Sequence, residues 1–235
     1  MSAQSVSRRL AALAFAVVVA GCDAAVEAPV AAQASAPAAA APHPLADRWL
    51  TAETAAPLTA DGVVERDAGK RPVGYELIGR TVPDFTAPLV GGGETNAEAL
   101  RGKWTVVDVW GIWCGDCRRD TPLVQELARA IDADPQVEFL SIHTPPNATR
   151  AAEAYGQFGS VEAYFAAEGV SYPTAIDADA SLRGALKVRW TPSYLLVGPD
   201  LKVHAFRTDL SVGGEGNAEA ALADVRALIA RAGEG

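Results

Sequence analysis

Residues 104–117 read Trp104-Thr105-Val106-Val107-Asp108-Val109-Trp110-Gly111-Ile112-Trp113-Cys114-Gly115-Asp116-Cys117. The first seven are almost continuously apolar over the length of one strand, the pattern of a strand buried on both faces. Asp108 interrupts them. A carboxyl in such a strand is costly to bury, so its presence points to a task, and desolvation raises its pKa towards the range of acid–base work. After the strand, Leu123, Val124, Leu127 and Ile131 recur at helical spacing, so Cys114 and Cys117 open a helix. N–H groups at a helix start favour a thiolate, which is the nucleophile of disulfide exchange. The two-residue spacing lets Cys117 reach Cys114 within one turn. It predicts a Cys114–Cys117 disulfide and intramolecular resolution of a mixed disulfide on Cys114. Trp113, next to that nucleophile, is expected to offer apolar surface to a partner.

The same two cysteines would also suit a zinc half-site, but that needs two further ligands. The chain has no second Cys pair and no closely spaced His pair. No metal and no bound cofactor are therefore expected. Working outward, Val137 to Ile142 reads as a second buried strand, and Tyr194 to Val197 with Val203 to Phe206 as a hairpin turned at Gly198-Pro199-Asp200. Ser160 is placed to cap a short helix that Gly169 stops, Asp179 to Val188 suggests another, and Asn217 caps the last. Upstream, Val82-Pro83-Asp84-Phe85 opens a strand-like stretch, Gly91-Gly92-Gly93 turns, and Ala97 to Leu100 forms one helical turn. Residues 144–159 form a long loop near the cysteines. This order predicts an α/β domain with a central mixed sheet and helices on both faces.

The chain has 235 residues, 49% hydrophobic and 21% charged, enough for one folded domain with extensions. Twenty Lys and Arg against 29 Asp and Glu leave a formal charge of −9, which argues against nucleic acid as a partner. Residues 1–21 read as a secretory signal, with Arg8 and Arg9 before an apolar run from Leu10 to Ala20. The run ends Val19-Ala20-Gly21-Cys22, which resembles a bacterial lipobox, with Cys22 as the lipidated residue and Asp23 after it resembling an inner-membrane retention signal. Residues 22–44 are an Ala/Pro-rich tether, 45–78 an N-terminal arm without clear period, and 79–235 the folded domain.

The stretch from Val107 to Cys117, with Pro122 five residues on, resembles the strand, active-site loop and kinked helix of the thioredoxin superfamily. Val82-Pro83-Asp84-Phe85 followed by a turn and Gly102-Lys103 is similar to the amino-terminal hairpin of its TlpA/ResA-like thiol–disulfide oxidoreductases. Val188-Arg189-Trp190-Thr191-Pro192 looks like their Thr-Pro segment. The resemblance implies a thioredoxin fold with an N-terminal β-hairpin extension. It also implies a cis Pro192 facing the cysteines, Thr191 and Trp190 at the substrate, and Asp108 exchanging a proton with Cys117. Asp116 replaces the family's usual Pro, Trp190 a frequent Gly and Asp120 a frequent Glu. Asp116 and Asp108 are both expected to disfavour the Cys114 thiolate, which makes the dithiol a better electron donor.

The implied function is reduction of disulfides in periplasmic proteins, such as apocytochromes or metal-assembly proteins. The enzyme would be lipid-anchored at the inner membrane and recharged by a membrane thiol-transfer protein. A thiol oxidase or isomerase with the same residues is one alternative. A Sco-like copper chaperone using Cys114, Cys117 and His143 is another, from a different class.

Overall fold

A computed structural model describes residues 49–51, 77–208, 210–211 and 216–233. The signal segment, Cys22, the tether and most of the arm lie outside the described residues. The elements are β1 (Leu50–Thr51), β2 (Thr86–Pro88), β3 (Glu94–Asn96), β4 (Trp104–Trp110), α1 (Gly115–Asp132), β5 (Val137–His143), α2 (Val161–Glu168), β6 (Thr174–Ile176), α3 (Ser181–Ala185), β7 (Ser193–Val197), β8 (Val203–Arg207) and α4 (Ala218–Ala232).

The expected buried strand is β4. It runs parallel to β5 and antiparallel to β7 in a six-stranded sheet of order β1-β8-β7-β4-β5-β6. Side chains alternate across a strand, so Val106 and Trp110 enter one buried cluster while Val107 and Val109 enter another. In β7, Tyr194 and Leu196 take the first face and Leu195 and Val197 the second. Continuous apolar runs are what a sheet covered on both sides requires. Residues of α1, α2 and α4 fill the first cluster; Leu182 of α3 and Ala87, Ala97 and Leu100 of the hairpin region fill the second. This is the thioredoxin fold, a central mixed sheet flanked by helices.

The caps act as the residue types demand. The Ser160 side chain accepts from Ala163 N–H, and Gly169 ends α2 at φ 67°, the left-handed region glycine adopts without a Cβ penalty. Asn217 caps α4, whose buried stripe includes Ala221, Leu222, Val225 and Leu228.

Two local expectations change. Residues 82–85 do not form a strand: Val82 is buried and donates its N–H to Leu201 O, while the hairpin proper pairs Thr86 with Asn96 and Pro88 with Glu94. The helix expected over 179–188 contracts to α3. Asp179 bonds the Ser181 N–H from a turn, and Lys187 takes φ 60°, which stops the helix. From the arm, Trp49 is buried, and Leu50 and Thr51 pair with Phe206 and Ala205 as the edge strand of the sheet.

Candidate active site

The end of β4 delivers the loop 111–114 to the start of α1. Cys114 is the N-cap, and its Sγ accepts from Cys117 N–H at 3.2 Å, where the dipole of an 18-residue helix favours negative charge. Cys114 and Cys117 are joined in a disulfide, with Cα atoms 5.3 Å apart. Cys114 is 8% exposed and borders a cavity, whereas Cys117 is 3% exposed and does not line it. Of the pair, Cys114 is the one that faces the cavity.

The Thr191-Pro192 peptide bond is cis, and Thr191 O lies 3.3 Å from Cys114 Sγ. A segment 77 positions away is thus brought against the nucleophile. Trp190, beside it, is 36% exposed. Trp113 is half-buried and donates its indole N–H to Thr144 O at 2.7 Å. Gly111 makes room for that ring: a Cβ there would sit 2.7 Å from Thr144 O and closer still to the indole. Across the cavity, Arg183 donates to the carbonyls of Pro145, Pro146, Val188 and Arg189. It ties the long 144–159 loop to the segment that leads into Thr191-Pro192, with its guanidinium 5.8 Å from the Trp113 ring centroid.

Beneath the loop, His143 is 1% exposed. Its Nε2 accepts the Ile112 N–H at 3.3 Å, and its other nitrogen donates to the Ala154 carbonyl. The ring stacks on Tyr155 and meets Trp110 edge-on. Both nitrogens are spent on the scaffold, which removes the third ligand the copper reading needed. Among the described residues, no group of three His, Cys, Asp or Glu is placed to hold a metal ion.

Burial pushes the His143 pKa down to about 4, against the smaller opposing effect of the Ala154 bond. The unfolded chain therefore binds the proton more tightly than the folded one, so stability falls as pH drops from about 6.5 to about 4. At 1.36 kcal/mol per pH unit the loss is about 3 kcal/mol. Chemical unfolding of wild type and His143→Gln across this window is expected to show that slope only in the wild type.

Asp108 is fully buried, with Val106 and Trp110 on the face of β4 that α1 covers. Its Oδ1 has no hydrogen-bond partner among the described residues. Burial, and after it the nearby Asp120 charge, hold its pKa well above the ordinary carboxyl value. The carboxyl therefore keeps its proton to higher pH than an ordinary Asp. Asp116, paired to Arg119 at 2.9 Å, is the other acid beside the sulfur.

Asp120 was expected only as a departure from Glu, yet it organises the far side of α1. It accepts from Leu210 N–H at 2.8 Å, Ser211 N–H at 3.1 Å, the Tyr194 hydroxyl at 2.9 Å and the Ser211 hydroxyl. A signal for this existed: Asp120 follows Cys117 by three and precedes Val124 by four, so it belongs to the buried stripe of α1. Arg183 had no such signal, because a lone arginine in a short helix reads as a solvated side chain.

Residues 78–206 match the AhpC/TSA family. The thiol-disulfide oxidoreductase ResA of Geobacillus kaustophilus is 28% identical over 120 residues, covering 51% of this chain and 63% of that protein. The chain therefore spans less than two thirds of that relative. The thiol:disulfide interchange protein DsbE of Pseudomonas fluorescens biotype C is 43% identical over 53 residues, 22% of this chain and 30% of that protein. StoA from Bacillus subtilis superposes with a TM-score of 0.48 at 18% identity, covering 61% of this chain and 96% of that one. The family match takes in β2 to β7, all but the last residue of β8, the cysteine pair and the Thr191-Pro192 segment, more than half of the sequence. The chain belongs to the AhpC/TSA family and carries its thioredoxin-like domain.

Proposed function

We propose that the protein is a thiol–disulfide oxidoreductase that reduces disulfides in periplasmic proteins. The observation that carries this reading is the Cys114–Cys117 disulfide at the head of α1, with Cys114 alone bordering the cavity. In the reduced protein, the Cys114 thiolate attacks one sulfur of a substrate disulfide. That S–S bond breaks, a mixed disulfide forms on Cys114, and the departing substrate thiolate takes a proton. Cys117 then loses its proton, attacks Cys114 Sγ and expels the second substrate thiolate. Two electrons pass to the substrate, and the protein is left with the Cys114–Cys117 disulfide.

Asp108 is the group for the Cys117 proton. As carboxylate it accepts that proton during resolution; as neutral acid it returns one when a donor reopens the disulfide. A carboxyl with a raised pKa is suited to cycle between the two forms. Trp113, Trp190, Thr191 and Pro192 form the substrate side of Cys114. The anchor is a lipid on Cys22 at the inner membrane, supported by the signal segment and Asp23. No helix among the described residues is long and apolar enough to cross a membrane. Apocytochromes and metal-assembly proteins are the substrate classes in view, and a membrane thiol-transfer protein is the donor.

The test is stoichiometric. Reduced protein mixed with a disulfide-bonded substrate protein such as insulin should reduce one disulfide per dithiol consumed; absence of any substrate thiol would reject the reading. Asp108→Asn should slow resolution at neutral pH on the order of 100-fold and flatten its pH profile. The same change should affect stability with a definite sign. Because the folded pKa is raised, the folded state binds the proton more tightly and loses stability as pH rises above the ordinary carboxyl value. Asp108→Asn is therefore expected to stabilise the oxidised protein at about pH 8, with the gain vanishing at about pH 3. Denaturant unfolding at the two pH values reads this directly.

A further inference from the structure

A circuit of hydrogen bonds runs around Cys114, and its two central members, Asp177 and Arg183, carry no thiol chemistry. It starts at Trp113, whose indole N–H donates to Thr144 O at 2.7 Å. The Thr144 hydroxyl donates to Asp177 Oδ2 at 3.0 Å. Asp177 is buried just past β6, and its carboxylate also accepts the N–H groups of Leu182 at 3.1 Å and Arg183 at 2.9 Å. Those two bonds fix the first turn of α3. Arg183 then divides its guanidinium between two segments: Nη1 donates to Pro145 O and Pro146 O, Nε to Val188 O and Nη2 to Arg189 O. Two residues past Arg189, Thr191 O lies 3.3 Å from Cys114 Sγ, which closes the circuit.

The segments joined by Arg183 supply opposite walls of the cavity of about 430 Å³ that Cys114 borders, Pro146 and Asn147 from one and Arg189, Trp190 and Thr191 from the other. We propose that Asp177 and Arg183 are positioning residues that set the spacing of these two walls and thereby select disulfides of proteins over small-molecule disulfides. A protein disulfide brings a stretch of chain that lies along both walls while its sulfur meets Cys114; a small disulfide needs the sulfur of Cys114 and little else. The selection is geometric. All four guanidinium acceptors are neutral carbonyls, and the planar fork of an arginine holds its donors in fixed directions, so one side chain sets the separation of both segments. Pro145 and Pro146, whose rings fix φ, make the loop side of that separation stiff.

The proposal rests on the thiol-exchange reading for the reaction, but the grip of the walls is measurable without it. The full-length reduced protein is mixed with insulin or with glutathione disulfide, and the second-order rate of each is followed by tryptophan fluorescence. The ratio of the insulin rate to the glutathione disulfide rate should fall about tenfold in Arg183→Met, because small misplacements of a substrate-positioning wall carry costs of that order. A residue that merely supports the fold would slow both reactions together and leave the ratio alone. Arg183→Lys keeps the charge but offers donors from a single nitrogen, so it should recover little of the ratio. Asp177→Asn, which leaves one oxygen for three donors, should move the ratio in the same direction as Arg183→Met. Insulin should also bind Cys114→Ser more tightly than Cys114→Ser/Arg183→Met, a comparison that requires no exchange. An unchanged ratio in Arg183→Met or Asp177→Asn, or full recovery in Arg183→Lys, overturns the proposal. If the wild-type protein reduces neither disulfide, the exchange reading fails, and equal insulin affinities of the two Cys114→Ser proteins would then overturn the role of Arg183 as well.

Discussion

Cys114→Ser is expected to lower disulfide exchange by at least about 1000-fold, whereas Cys117→Ser should retain the first step and accumulate a stable mixed disulfide with its substrate. The asymmetry follows from placement. Cys114 borders the cavity, caps α1, and its sulfur accepts the Cys117 N–H, so it is the sulfur that a helix terminus stabilises as thiolate. Cys117 is more deeply buried in the same core cluster and is bonded to Cys114. A hydroxyl at position 114 is a far poorer nucleophile at neutral pH. A hydroxyl at 117 leaves nothing to attack the mixed disulfide from inside. Single-turnover kinetics with non-reducing electrophoresis separates the two variants. Equal residual turnover in both, or a mixed disulfide trapped on Cys117 in the Cys114 variant, would contradict the assigned roles.

Asp120→Ala should cost about 3–5 kcal/mol of stability at neutral pH. The carboxylate receives four donors, two of them backbone N–H groups of Leu210 and Ser211 that are 90 and 91 positions away. Its removal leaves those buried donors and the hydroxyls of Tyr194 and Ser211 without their acceptor. For a folded region of this size the midpoint of thermal unfolding should fall by roughly 10 °C or more. A second consequence is electrostatic. The Asp120 charge is the lesser of the two causes that raise the Asp108 pKa, so its loss should let Asp108 ionise at lower pH. Denaturant unfolding with a carboxyl titration of the oxidised protein reads both. A stability loss under about 1 kcal/mol would show that the 210–211 segment does not depend on this clamp.

Much of this arrangement was legible in the residues. The run from Trp104 to Trp110 had to be a strand covered on both faces because no period of two relieves it. Its continuation into Cys114 and a helical apolar stripe placed the dithiol at a helix start. Ser160, Gly169 and Asn217 stated their helix boundaries through side-chain chemistry that acts within a few positions. What could not be read depends on contacts across long sequence separations. Arg183 looks like any exposed arginine until the loop at Pro145 and Pro146 folds over it. His143 is the same: its place at the end of β5 was visible, but its bond to Ile112 N–H spans 31 positions. Val82 to Phe85 had strand-like residues, yet Pro83 lacks the N–H a ladder needs, and the pairing begins at Thr86.

The direction of electron flow is the central claim, and the redox potential of the Cys114–Cys117 couple tests it most directly. The Cys117 N–H and the start of α1 stabilise a thiolate on Cys114. Against them, Thr191 O at 3.3 Å is an acceptor that favours S–H over S⁻, and Asp116 adds a carboxylate between the two cysteines. Those two groups keep the reduced form from being strongly stabilised, and a weakly stabilised dithiol is a good reductant. Equilibrating the purified protein with dithiothreitol and glutathione buffers, and reading the dithiol fraction, gives the midpoint. The expected value lies near that of thioredoxin, about −270 mV; a midpoint above about −180 mV, the scale of protein disulfide isomerase, would contradict the reductase account and make the protein an oxidant.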